Sequence, residues 1–100
     1  MAITVNKDSI PERRMKNVIV YLGTFDCDNS YPTGGYDASL IQTRITRMHI
    51  TNLNATYGLE YNPSTNKIMA FVLATGAEVS NGTSLSAVTG VPYEALVYFD

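Results

Sequence analysis

Apolar and polar residues alternate with a period of two over most of the chain, the spacing of β-strands. In NVIVYLGTF, residues 17–25, Val18, Val20 and Leu22 fall on one face and Ile19, Tyr21 and Phe25 on the other. Both faces are apolar, which predicts a central strand of a packed sheet. In LIQTRITRMHITN, residues 40–52, Arg44, Thr46, Met48 and Ile50 alternate with Ile45, Arg47, His49 and Thr51. Each face is half polar, as expected of a strand near an edge or an interface.

TYGLEYNPSTNKIMAFVLAT, residues 56–75, sets two alternating runs on either side of Asn62-Pro63-Ser64-Thr65-Asn66. A cluster of turn formers between two such runs predicts a β-hairpin with a five-residue connection. In its second arm Ile68, Ala70, Val72 and Ala74 oppose Met69, Phe71 and Leu73, again a strand with two apolar faces. A short strand over Glu78–Ser80, a turn at Asn81-Gly82, a Ser/Thr-rich connector and a last strand that alternates Tyr93, Ala95, Val97 and Phe99 with Glu94, Leu96 and Tyr98 complete the pattern. Five to seven strands without a ten-residue helix predict an all-β fold, a single antiparallel β-sandwich or a small jelly-roll-like barrel.

Residues 1–17 differ from the rest. They hold four bases against two acids, whereas residues 18–100 hold three against seven. Ser9 and Glu12 match a capping pattern for a brief helical turn, but Pro11 and the missing apolar stripe oppose it. The segment reads as an extended N-terminal arm suited to lying on a neighbour, with a solvated terminus as the equal alternative, and residues 18–100 as the β-domain.

Charged residues make up only 16% of the 100 residues and hydrophobic ones 45%. A surface this sparse in charge implies that part of it is covered by partners. The net charge of −2 supplies no basic field for nucleic acid, and no apolar run is long enough for a signal peptide or a membrane span. A soluble chain made in a reducing compartment is expected, because Cys27 stands alone.

Candidate chemistry is thin. His49 is the sole histidine and would have to serve as the base of any Ser-His-Asp or Cys-His arrangement, with Cys27 as its thiol partner. Neither stands in a catalytic signature, so no enzyme is expected. Asp26, Asp28 and Asp37 gather around one loop, but their spacing is that of Asx-turn formers rather than a calcium loop. No metal and no cofactor are expected. Gly34-Gly35 lacks the lysine and the following helix of a phosphate cradle. The stretch Tyr31-Pro32-Thr33-Gly34-Gly35-Tyr36 instead reads as a loop of fixed shape, because Pro32 restricts φ and the glycines admit positive φ. Tyr31 and Tyr36 either present contact area to a partner or pack beneath the loop.

A strand ending GTFD, then SYPTGG, then the hairpin YGLEYNPSTNKIMAF, then NGTSLSAVT and a terminal strand together resemble a family of small head proteins of tailed bacteriophages. The matching positions are Tyr31, Pro32, Thr33, Gly34 and Gly35; Gly58 and Tyr61; Asn66 and Lys67; and Leu85, Ser86 and Ala87, within residues 18–99. Tyr36-Asp37 and Ser84 depart from the family pattern. The resemblance implies a capsid decoration or cement protein made in the host bacterial cytoplasm. It would bind the major capsid protein on the outer surface of the virion, commonly as a homotrimer. Lys7, Arg13, Arg14, Tyr31, Pro32, Thr33, Gly34, Gly35 and Tyr36 are then the candidate interface, with arm and loop reaching neighbouring subunits. A carbohydrate-binding β-sandwich is the alternative, drawn from the tyrosines and aspartates.

Overall fold

A computed structural model describes residues 3–42, 44–52 and 54–98, without the side chains of 9–12 and 15. It contains seven strands: β1 (Thr4–Met15), β2 (Val18–Asp26), β3 (Tyr36–Asp37), β4 (Arg47–Ile50), β5 (Tyr57–Asn62), β6 (Lys67–Val72) and β7 (Val91–Tyr98). They form a four-stranded sheet A, ordered β1-β2-β7-β4, and a three-stranded sheet B, ordered β3-β6-β5. Every pairing is antiparallel, as the β-sandwich expectation requires.

Alternation decides which side chains enter the core. Ile19, Tyr21 and Phe25 of β2 lie opposite Val97, Ala95 and Val91 of β7 on the inner face of sheet A. On sheet B, Tyr57, Leu59 and Tyr61 lie opposite Val72, Ala70 and Ile68. Phe25, Ile68, Ala70 and Ala95 are fully buried where the two layers meet. Burying one such large side chain contributes about 1.5–3 kcal/mol, so these rows hold the layers together.

The hairpin forms where the turn residues predict it, with a connection one residue shorter than expected, because Asn62 and Lys67 already pair. Asn66 takes φ +56°, and the Ser64 amide donates to Asn62 Oδ1 at 3.0 Å. β4 begins only at Arg47, and Asp37 caps a 3-10 turn at Ala38–Leu40 ahead of it. The expected strand over Glu78–Ser80 is a single bridge between Glu78 and Phe71. Phe99 lies outside the described residues.

The arm requires correction. Residues 4–15 are not a separate extension but the edge strand of sheet A, paired with β2 from Thr4↔Asp26 to Met15↔Val18. Ile3 is buried in the core, so no boundary separates residues 3–17 from the β-domain. The register slips between Lys7↔Gly23 and Glu12↔Tyr21, leaving four residues of β1 opposite Leu22 alone. This bulge stands where a helical turn competes in the sequence, and it keeps a twelve-residue edge from presenting a flat template to other strands.

Candidate functional site

The loop between β2 and β3 is held by two acids, its own Asp28 and Glu78 from the segment after β6. Asp28 Oδ1 accepts the Ser30 amide at 3.0 Å, an Asx turn, and also the Tyr36 hydroxyl at 3.0 Å. Glu78 Oε2 accepts the Tyr31 hydroxyl at 2.7 Å and the Gly34 amide at 2.8 Å. The Tyr31 oxygen in turn accepts the Ala70 amide of β6 at 3.1 Å. Backbone bonds from Tyr31 N–H to Thr83, Gly82 N–H to Tyr31 and Leu85 N–H to Asp28 fasten the loop to the 81–88 connector. The two short motifs that carry the phage resemblance, Tyr31–Gly35 and Leu85–Ala87, therefore belong to adjoining segments of one loop assembly.

Tyr31 and Tyr36 are both at 0% exposure, with ring centroids 5.5 Å apart in an edge-to-face pair. The two rings are the core of the loop, which removes them from the candidate interface. Burial pushes the Tyr31 phenol up to about 12, with the Glu78 carboxylate adding to the rise. It raises Tyr36 as well, helped by Asp28. Gly35 is also buried, because at φ +110° its Cα lies so close to β6 that a Cβ would stand 2.6 Å from the Ile68 carbonyl oxygen. Pro32 and Gly34 are half-buried, and Thr33 alone of this stretch is exposed. The residues expected to touch a partner instead shape the loop.

The other candidates behave differently. Lys7, Arg13 and Arg14 are exposed on β1. Arg13 pairs with Val20, Val20 with Leu96 and Leu96 with Arg47, so the four residues form one row across β1, β2, β7 and β4. The row lies on the outer face of sheet A, where Val18 pairs with Tyr98 on one side and Leu22 with Glu94 on the other. His49 follows Glu94 and is exposed. Arg13, Arg14, Val20, Leu22, Glu94 and Leu96 line an open groove of about 650 Å³.

This outer face is the surface that sequence reasoning missed as a site. Its signal was present as Val18, Val20 and Leu22, the second apolar face of a strand that the sandwich covers on one side only. Tyr98 is 49% exposed there, Val18, Leu22 and Leu96 are half-buried, and Val20, at 7%, is already covered. Sheet B repeats the situation, with Met69 and Phe71 half-buried on its outer face and Leu73, 53% exposed, lying over Gly58.

The reactive candidates do not converge. Cys27 is packed in the core, whereas His49 stands on the exposed face of sheet A. Burial, with Asp28 and Asp26 adding to it, pushes the Cys27 thiol up to about 12, far from a nucleophile's range. Asp28 and Asp37 each accept the amide two residues on, as Asx formers do. These bonds hold the Asp37 carboxyl below its ordinary value. Compared with known proteins, the chain matches no family model, no curated protein and no solved structure.

Proposed function

We propose that the chain is a structural virion protein, a decoration or cement protein that binds the outer surface of a tailed-phage head and ties major capsid protein subunits together. The observation that carries this reading is the apolar outer face of sheet A. A free-standing sandwich gives that face to polar residues, whereas here Val18, Val20, Leu22, Leu96 and Tyr98 occupy it. Such a stripe favours a partner that covers it.

The remaining features suit a cement role. The loop assembly is locked by buried tyrosines, so the body brings little conformational entropy to be lost on docking. Each copy needs to contribute only modest affinity, because many copies on one lattice add through multivalency. The homotrimer that the family resemblance implies belongs to the same proposal. The carbohydrate-binding alternative loses Tyr31 and Tyr36 as stacking platforms, since both rings are buried.

The test is a quantitative immunoblot of density-purified heads against the soluble lysate of the source infection. Banding with intact heads, at a copy number comparable to the coat protein, is the expected result. Confinement to the soluble fraction would remove the decoration reading.

A further inference from the structure

The outer face of sheet A carries charge in a definite arrangement. Five of the seven basic residues, Arg13, Arg14, Lys16, Arg44 and Arg47, lie in or beside the strand segments at one end of this sheet, and all five are exposed. Four acids are tied to internal donors: Asp26 accepts the Gly90 amide, Asp28 the Ser30 amide, Asp37 the Ser39 amide and Glu78 the Gly34 amide, whereas Glu94 is exposed on this same face, one step along β7 from the arginine row. A chain of net charge −2 thus turns a face outward whose one end is basic, bounded by Glu94 and His49 on the next row.

Arg13 and Arg47 sit on the two edge strands with Val20 and Leu96 between them. Three inter-strand spacings of about 4.8 Å separate their backbones by about 14 Å. An extended chain advances nearly the same distance, about 13–14 Å, in four residues, and it projects residues i, i+2 and i+4 from one side. The two spacings match. We propose that sheet A binds an extended acidic segment of the partner that crosses its strands, with carboxylates at i and i+4 on Arg13 and Arg47 and an apolar side chain at i+2 on Leu96, beside the buried Val20. Arginine suits this role, because its planar fork takes a carboxylate through two donors.

The inference rests on the decoration reading and names the chemistry of the surface on the shell. The binding test adds purified protein to heads that lack it, with and without nuclease treatment. Wild type should bind, the double reversal Arg13→Glu/Arg47→Glu should lose roughly tenfold or more in apparent affinity, and Lys67→Glu, on β6 of the other sheet, should change it less than about twofold. Circular dichroism of each variant separates lost binding from lost folding. A second measurement uses Arg13→Lys/Arg47→Lys, which keeps the charge and supplies amines for zero-length carbodiimide coupling to carboxylates. Mass spectrometry should then find both lysines joined to acids four residues apart in one shell segment.

Wild-type binding that the double reversal leaves intact overturns the inference and leaves the decoration reading standing. Joined acids on unrelated segments overturn it too. Self-association of the free protein that the reversal abolishes would assign the face to a second copy, and binding that nuclease removes would assign it to nucleic acid. Failure of wild type to bind heads overturns both readings.

Discussion

Tyr31 shows how one side chain sets a loop. Its hydroxyl donates to Glu78 and accepts from the Ala70 amide, so it links the loop, the 78–88 connector and β6 at a single atom. Tyr31→Phe keeps the ring and leaves the Ala70 amide unpaired, which costs about 1–3 kcal/mol. The melting temperature by circular dichroism should fall by about 4–8 °C per kcal/mol in a domain of this size. Tyr36→Phe should cost less, since Asp28 keeps the Ser30 amide. The same burial sets an alkaline limit. Tyr31 rises from an ordinary 10 to about 12 and Cys27 from 9 to about 12, so both hold their protons more tightly folded than unfolded. Their contribution is complete below about pH 9 and is lost as pH rises through 12. Absorbance at 295 nm should show Tyr31 and Tyr36 ionising late, together with the loss of near-ultraviolet dichroism. Early, independent ionisation of all seven tyrosines would contradict the buried placement.

Among the elements, β1 depends most on one position. A Cβ on Gly23 would stand 2.5 Å from the Asn6 carbonyl oxygen and 3.0 Å from the Lys7 Cα, both backbone of the facing strand. Gly23→Ala should therefore push the first half of β1 off β2, at about 1–3 kcal/mol for an overpacked site. Hydrogen exchange should speed up at residues 4–7 while β5 and β6 keep their protection. Most of the strand pattern was legible because alternation and turn residues agree there: β2, β5, β6 and β7 follow from periodicity, and the hairpin from Asn62–Asn66. Residues 1–17 were not legible as a strand. The four residues bulged out opposite Leu22 break the two-residue period, so the sequence shows no continuous strand where the backbone makes one. Tyr31 and Tyr36 were equally opaque, since their partners Glu78 and Asp28 lie 47 and 8 residues away.

For the whole molecule, the decisive property is that the two central strands are apolar on both faces while the sandwich covers only one. Leu22 and Leu96 are half-buried on the uncovered side, outside the core cluster. Leu22→Ser with Leu96→Ser should cost about 1.5–3 kcal/mol in all, roughly half of what two fully buried leucines contribute, should leave the fold in place and should abolish binding to heads. Loss of the fold in that variant, seen as a collapsed melting transition, would mean that the stripe is structural. The placement of charge has a kinetic consequence. Under the proposed decoration role, an acidic shell beyond a Debye length of about 8 Å would meet a molecule of net charge −2 and exert no pull on it. Attraction would begin only once the arginine row leads, while the end of β2 that bears Asp26 would be turned away by repulsion. The arginine row would then act less as a lure than as a filter on orientation, so association would be slow and copies that land would arrive the right way round.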